Sequence, residues 1–401
     1  MSPAFASALS TNPNSLTALD EVIALVQEQL GDDPTFVVLF VSVNHIVAAA
    51  KLAPRICEQL GTECVIGCSG ESIVGVGTEV EMASAMSLWA ASLPGTAVLP
   101  MRLEFVRAPE GGSIVGWPDD LPEAWPDGSA LLALGDPFSF PPELLLERVN
   151  EDQPGTPVIG GMASAATEPG ENCLFMGPNA FHDGAVAALV HGDVAVRSIV
   201  SQGCRPIGGH FVITKAERNV IQELGGVPAY KRLIEVYETL ATHEQEMLRR
   251  GLHVGRVVSE YQATFEQGDF LVRNVVGVDQ ENGSIVIGDY VRPGQTVQFH
   301  LRDANTADGE LKQLLASIKQ PPDSEPRGTL LFTCNGRGTR LFQEPNHDAE
   351  AIGKALDNAP LAGFFAAGEM GPIGGTNFLH GFTASIAVFE PAPSSRARVE
   401  E

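Results

Sequence analysis

The chain has 401 residues, of which 44% are hydrophobic and 19% are charged, so it can bury a substantial core and is long enough for two or three domains. Fifty acidic residues against 25 basic ones give a formal charge of -25, which repels nucleic acid and anionic membranes and disfavours both as partners. Six scattered cysteines without a C-x-x-C pair argue against a disulfide framework or a zinc site.

The N-terminal segment predicts a lead-in followed by alternating helices and buried strands. Residues 1–16 contain no basic residue and no apolar run of a signal peptide, so we expect a disordered lead-in of a cytoplasmic protein. Residues 83–101 lack charge over about the length of a membrane span, but their serines, glycine and prolines predict a buried strand and a turn instead. A helix is expected over residues 17–30, with Thr17 as its N-cap.

A unit of strand, helix, strand, glycine loop and strand occurs three times. In each unit the first two strands begin roughly 30 residues apart, which fits a right-handed crossover between parallel neighbours. The predicted strands are 36–41, 64–67 and 85–91 in the first unit, 131–134, 158–163 and 185–190 in the second, and 329–333, 361–366 and 383–389 in the third. The pattern predicts an α/β fold with mixed sheets and a pseudo-symmetric, triplicated layout.

Different material separates the second and third units. It predicts one long helix over residues 228–250, a group of antiparallel strands and a hairpin at 279–283, then a helix over 307–319 and a proline-rich connector over 320–327. The expected strands are 196–206, 211–214, 270–276, 284–288 and 296–301. We therefore expect a domain boundary near residues 224–228, with domains over 17–225 and 226–390 and a disordered tail over 391–401.

The loops of the third unit carry the most specific candidate site. Asn335, Arg337 and Glu369 lie among glycines after two buried strands, and ligands bind preferentially at the carboxyl ends of such strands. Arg337 and Arg340 are suited to a carboxylate, and Glu369 to an amine, so an amino-acid-like ligand would satisfy both. The alternative is an Arg337–Glu369 salt bridge that only joins the two loops.

A cysteine-dependent enzyme is a further alternative. Cys68, Cys204 and Cys334 each follow a predicted buried strand, and Arg205 and Arg337 are near two of them in sequence. A thiolate beside a cation is nucleophilic, although most cysteines without a disulfide act as small buried hydrophobes. The sequence has no Walker loop, complete nucleophile elbow or zincin pair, so a non-enzymatic role is preferred.

Several ordered motifs resemble one family, the FIST proteins, named for F-box and intracellular signal transduction. The resemblance extends over residues 36–389 and is carried by SQGCRPIG, GDFLVRN, GQTVQFHLRDA, LFTCNGRG, PNHDAEAI and LAGFFAAGEMGPIGG. It implies a FIST N-terminal domain and a FIST C-terminal domain. It also implies a sensory module for small ligands, such as amino acids, that signals through a separate partner.

The resemblance and the loop residues together predict a ligand pocket between the two FIST parts, in a cytoplasmic sensor of an amino acid or small carboxylate. Its predicted lining consists of Cys204, Arg205, Arg273, Asn335, Arg337 and Glu369. The family also implies two alternatives, a protein-interaction module like the FIST region of F-box proteins and a haem-based nitric oxide sensor. No cofactor is the preferred expectation, with haem ligation by a histidine left open.

Overall fold

A computed structural model describes residues 3–108, 111–261, 264–265, 268–318 and 328–392. The chain divides into two compact units. Unit 1 comprises the described parts of Met1–Val200, Leu311–Leu379 and Thr383–Glu401, and unit 2 comprises Ser201–Glu310 and His380–Phe382. Both strands and helices are present, as expected for an α/β protein.

Most of the secondary structure belongs to unit 1. Its strands are β1 (Ala4–Ser10), β2 (Phe36–Ser42), β3 (Val65–Gly70), β4 (Ile73–Gly75), β5 (Thr78–Val80), β6 (Met86–Ser92), β7 (Thr96–Ala108), β8 (Gly111–Val115), β9 (Ala130–Gly135), β10 (Val158–Met162), β11 (Leu174–Met176), β12 (Asn179–Phe181), β13 (Ala185–Gly192) and β14 (Val194–Gln202), followed later by β22 (Gly328–Cys334), β23 (Leu361–Ala366), β24 (Glu369–Ile373), β25 (Thr376–His380) and β26 (Thr383–Pro391). Its helices are α1 (Ser15–Leu30), α2 (Ala49–Leu60), α3 (Pro142–Asp152) and α7 (His347–Ala355), and α6 (Ala304–Ile318) belongs to it from Leu311 onward.

The described part of unit 1 contains three sheets with one topology. The strand orders are β1-β6-β2-β3-β11-β12, β8-β7-β13-β9-β10-β24-β25 and β14-β26-β22-β23-β4-β5. In each sheet two central strands are parallel, namely β2–β3, β9–β10 and β22–β23, and the third strand of the repeat lies antiparallel beside the first. The repeated unit predicted from the sequence is therefore confirmed.

The repeats exchange their hairpins in a cycle. The hairpin β4–β5 of the first repeat pairs with β23 of the third, and β24–β25 of the third pairs with β10 of the second. The hairpin β11–β12 of the second repeat in turn pairs with β3 of the first. Each sheet is thus completed by a neighbouring repeat, so no repeat forms its whole sheet from its own residues.

Both faces of the central strands are buried, which explains their uninterrupted apolar runs. Phe36, Val38 and Phe40 of β2 belong to a core that all three sheets share. Val37 and Leu39 point to the opposite face, into a second core with residues of α1 and α2. Separate cores join α3 to the second sheet, and α6 and α7 to the third.

One glycine occupies the same place in the second strand of each repeat. A Cβ atom at Gly67, Gly160 or Gly363 would lie 2.2, 1.8 or 2.0 Å from a carbonyl oxygen of the neighbouring parallel strand. No side chain fits at that separation, so the shared glycine permits the close approach of the two strands. The residues that carry those carbonyls are Leu39, Ala133 and Leu331, and each is the registered partner of its glycine.

Unit 2 is built on a closed antiparallel sheet. Its elements are β15 (Cys204–Glu217), β16 (Val220–Leu224), β17 (Val227–Pro228), α4 (Ala229–Thr239), α5 (Thr242–Arg250), β18 (Leu252–Val257), β19 (Phe270–Asp279), β20 (Ser284–Ile287) and β21 (Thr296–Arg302). The strand order β15-β21-β18-β19-β20-β16-β17 closes on itself because β15 also pairs with β16. Both helices contribute side chains to the unit's apolar core.

Three local expectations are corrected. The predicted disordered lead-in contains β1, whose Ala6 and Ala8 pack into the core under α1, because alternating small residues fit beneath a helix. The first helix is capped by Asn14 rather than Thr17, and its side chain accepts the Thr17 N–H at 3.1 Å. The predicted long helix is divided into α4 and α5 because Leu240 takes an extended conformation.

Two further expectations concern residues outside the described ranges. The proline-rich connector at 320–327 and all but two residues of the predicted tail lie there. Among the residues that are described, no helix combines the length and the apolar character needed to span a membrane.

Candidate functional site

The end of the first strand in each repeat carries a different polar residue at one equivalent position. Ser42 is the last residue of β2, Asp136 directly follows β9, and Cys334 is the last residue of β22. The Ser42 hydroxyl accepts the Ala85 N–H at 2.9 Å. Asp136 accepts hydrogen bonds from Ser139 at 2.6 Å and Asn172 at 3.0 Å. The first two positions are therefore satisfied by neighbouring protein groups.

Hydrogen bonds bring the strand ends of all three repeats together. The Ser164 hydroxyl, after β10, accepts the Glu71 N–H at 2.9 Å and donates to the Phe365 carbonyl in β23. Arg340, after β22, binds both oxygens of Glu71, at 2.7 and 2.9 Å, and donates to the Asn335 carbonyl at 2.8 Å. The carboxyl ends of the parallel strands therefore meet in one polar region of unit 1.

Arg337 is the centre of a buried charge network. It is fully buried and holds Asp348 with Nε at 2.7 Å and Nη2 at 2.8 Å, while its guanidinium lies 5.2 Å from the Phe342 ring centre. Asp348 also accepts the Thr333 hydroxyl at 2.7 Å, and His347 Nδ1 lies 2.9 Å from its other oxygen. Although burial raises it, the charge and hydrogen bonds of Arg337 hold the pKa of Asp348 well below its usual range.

Glu369 lies buried at the start of β24. Its Oε2 accepts the hydroxyl and N–H of Thr383 at 2.8 and 3.2 Å, and its Oε1 has no hydrogen-bond partner within the described ranges. Burial raises the pKa of Glu369 to about 8, against the opposing effect of the Thr383 bonds. The carboxyl therefore changes its protonation near neutral pH, which is typical of groups at functional sites.

Asn335 provides a second unfilled acceptor in the same loop region. Its N–H donates to the Ala366 carbonyl at 3.0 Å, which ties the loop after β22 to the end of β23. Its side-chain oxygen is buried and has no hydrogen-bond partner among the described residues. A ligand that donates a hydrogen bond would relieve the cost of leaving that oxygen unpaired.

The other three predicted site residues belong to unit 2. Cys204 opens β15 and is 1% exposed. Arg205 is bound by Glu244 at 2.6 Å and by Asp303 at 3.3 Å, and Arg273 is bound by Asp289 at 3.1 Å. Both arginines are thus already engaged by acids of their own unit, while Asn335, Arg337 and Glu369 lie in unit 1.

A cavity of about 310 Å³ opens at the strand ends of the second repeat. Two of its lining residues, Arg107 and Glu143, carry opposite charges, are exposed, and have no ion pair within the described part of the chain. Ala367, which also lines it, is two residues from Glu369. The apolar lining consists of Phe105, Pro137, Phe138, Phe140, Pro141, Pro142, Met162 and Leu379.

Sequence reasoning missed this cavity. Arg107 lies near the far end of β7 and Glu143 lies in the first turn of α3, so neither residue follows a central strand. The threefold repeat in the sequence was the available signal, because it predicts that the strand ends of the second repeat lie beside those of the third repeat.

A larger hollow of about 580 Å³ lies away from the strand ends, between α3 and the loop that contains Trp117 and Trp125. Its cation, Arg148, is already occupied, since it pairs with Asp152 at 3.3 Å and lies 5.0 Å from the Trp117 ring centre. We therefore place the candidate ligand site in the smaller cavity. Across the described ranges no three His, Cys, Asp or Glu side chains come together to hold a metal ion.

Comparisons with known proteins identify two family domains that follow one another along the chain, and their boundary at residue 227 differs from the division into the two compact units. The family model of the FIST N domain matches residues 35–227, and that of the FIST C domain matches residues 227–372. An uncharacterised protein of Mycobacterium tuberculosis is 42% identical over 382 residues, which cover 95% of this chain and 98% of the relative. An uncharacterised protein of Mycobacterium bovis is 40% identical over 380 residues, which cover 94% of this chain and 97% of the relative.

Proposed function

We propose, since this chain belongs to the FIST family, that it is a cytoplasmic, non-enzymatic sensory protein that binds an amino-acid-like ligand. FIST domains are associated with signal transduction and ligand sensing. We further propose that the signal passes to a separate protein partner and that sensing requires no cofactor.

The single observation that carries the ligand class is the pair of opposite charges in the cavity of about 310 Å³. This volume lies within the range of small-molecule sites, which typically combine apolar walls with a few polar groups. The Arg107 guanidinium is suited to a carboxylate, because its N–H groups bind both oxygens. The Glu143 carboxylate is suited to an ammonium group. A zwitterionic amino acid with an apolar side chain would satisfy the charges and the phenylalanine walls together.

The buried Glu369 would transmit binding rather than provide its first contact. Ala367, which lines the cavity, is two residues from Glu369 in sequence. Arg337 would hold the loop in place through Asp348. For Cys204, Arg205 and Arg273, a role in ligand binding stays a prediction.

Thermal denaturation with a panel of amino acids and matched 2-oxo acids tests the proposal. A ligand that binds only the folded protein raises the unfolding midpoint. We expect Arg107→Ala to abolish the response to both classes, and Glu143→Gln to abolish the response to amino acids alone. Arg148→Ala, on the same helix as Glu143 but at the other hollow, is the matched control and should respond like the wild type.

Two outcomes contradict the proposal. One is a wild-type protein whose midpoint is unchanged by every member of the panel at millimolar concentration. The other is an amino-acid response that Arg107→Ala and Glu143→Gln leave intact, because the ligand would then bind elsewhere.

A further inference from the structure

The wall of the cavity of about 310 Å³ offers few acceptors to the hydrogen bonds of a primary ammonium group. Among the lining residues that the structure describes, only Ser139 and Glu143 carry a side-chain oxygen. The Ser139 hydroxyl is already engaged, because it donates to Asp136 Oδ2 at 2.6 Å and accepts the Gly184 N–H at 2.8 Å. The Glu143 carboxylate therefore remains as the side-chain acceptor that the wall presents to a ligand.

The rest of the wall favours a cationic group that makes no hydrogen bonds. A primary ammonium has three N–H donors, and a donor that faces an apolar wall without a partner costs free energy. Phe105, Phe138 and Phe140 bring three aromatic rings to the lining. Aromatic faces attract cations, and several rings around a quaternary ammonium are a recurring way of binding that group. The negative charge of Glu143 attracts such a cation without any N–H between them.

We propose that the ligand of this cavity is a betaine, which is an amino acid whose nitrogen carries three methyl groups. Its carboxylate binds the Arg107 guanidinium. Its trimethylammonium group lies against the phenylalanine rings and near the Glu143 carboxylate. The three methyl groups supply the apolar surface that the wall requires, so the ligand needs no large side chain of its own.

The proposal rests on the proposed function, since it names the ligand class for the same cavity, but the two fail in different ways. We expect primary amino acids to bind more weakly than betaines and still to raise the unfolding midpoint at millimolar concentration. If they bind through Arg107 and Glu143 as tightly as betaines do, only the ligand class is wrong. If Arg107→Ala leaves the binding of both kinds of ligand unchanged, the site itself is wrong.

The test is isothermal titration calorimetry of the intact chain with glycine betaine, glycine and tert-butylacetate. In tert-butylacetate a carbon atom replaces the nitrogen of glycine betaine, so the shape and the carboxylate are kept while the positive charge is lost. Glycine keeps the charge and lacks the methyl groups. We expect glycine betaine to bind at least about ten-fold tighter than either of the others, since it alone combines the cation with the methyl surface.

Phe138 offers the sharpest variant, because its side chain is 43% exposed and its replacement should leave the fold intact. Phe138→Leu keeps an apolar side chain but removes the ring, so it should reduce the preference for glycine betaine over tert-butylacetate by about two- to five-fold. Phe138→Tyr keeps the ring and should retain the preference. Tyr290→Leu, which removes an exposed ring from unit 2, is the matched control and should bind all three probes like the wild type.

Three results overturn the proposal. The first is glycine binding as tightly as glycine betaine, because methylation would then contribute nothing. The second is tert-butylacetate binding as tightly as glycine betaine, because the wall would then bind methyl groups without regard to charge. The third is a Phe138→Leu variant, folded by circular dichroism, that keeps the wild-type preference.

Discussion

Replacing Arg337 by methionine should strongly destabilise unit 1, because it leaves the Asp348 carboxylate buried without its cation. Asp348 is 1% exposed, and two of its four hydrogen-bonded contacts come from Arg337, at 2.7 and 2.8 Å. Thr333 and His347 supply the other two contacts. Breaking one partner of a buried ion pair costs about 3–5 kcal/mol in the free energy of unfolding.

A double-mutant cycle separates the interaction energy of the Arg337–Asp348 ion pair from the packing contribution of the long Arg337 side chain. Asp348→Leu alone should also destabilise, since it leaves a buried guanidinium, whereas Arg337→Met with Asp348→Leu should recover much of the loss because apolar replacement of both partners is often neutral. Arg340→Met is the exposed counterpart, and with a side chain 45% accessible its pair with Glu71 should contribute less than about 1 kcal/mol.

Urea denaturation followed by tryptophan fluorescence measures the unfolding of unit 1, which contains the Arg337–Asp348 pair. Trp89, Trp117 and Trp125 all lie in unit 1, and Trp89 is fully buried. The reasoning is refuted if Arg337→Met unfolds at the wild-type urea concentration. It is also refuted if the double variant is as unstable as the sum of the two single variants.

Other predictions concern protonation and close packing. Burial raises the pKa of Glu79 to about 7 and that of Glu369 to about 8, above their ordinary value of 4.5. Between the ordinary and the raised pKa, the folded state binds more protons than the unfolded state. The free energy of unfolding of unit 1 should therefore fall as the pH rises from 4.5 to about 8. Glu369→Gln should flatten that slope in urea titrations from pH 5 to 8, and an unchanged slope would contradict the assignment. Gly363→Ala should cost about 1–3 kcal/mol or more because its Cβ would lie 2.0 Å from the Leu331 carbonyl oxygen. Gly309→Ala, in open space on α6, should instead stabilise by up to about 1 kcal/mol, and equal effects of the two substitutions on the unfolding midpoint would refute this account.

The repeated framework was predictable from the sequence because its physical cause is local. Each central strand is covered on both faces, so it appears as an apolar run, and each second strand carries a glycine where it approaches its neighbour. The hairpin exchange was not predictable in this way. A segment such as β4–β5 has the same local sequence whether it completes its own sheet or another, and only the assembled core selects the partner.

The candidate site was predictable by position but not by role. Asn335, Arg337 and Glu369 do lie at strand ends, yet a charged residue in a glycine-rich loop normally indicates exposure, and Arg337 is fully buried. Its partner Asp348 is eleven residues away in sequence, in α7, and nothing in the local pattern of that helix shows that it faces inward. The exposed charges Arg107 and Glu143 were missed for the opposite reason, because isolated surface charges are common in any chain.

The internal symmetry makes Glu369 the strongest single indication of function. The exchanged hairpins place one residue opposite the position after each shared glycine: Ile73 in the third sheet, Leu174 in the first and Glu369 in the second. All three are fully buried, but only Glu369 must lose its hydration or its charge to occupy that place. The other two repeats fill this place with an aliphatic residue, whereas Glu369 accepts the N–H and hydroxyl of Thr383 there. A buried acid that departs from two apolar counterparts breaks the local rule that the other repeats follow, and such departures are expected at functional sites.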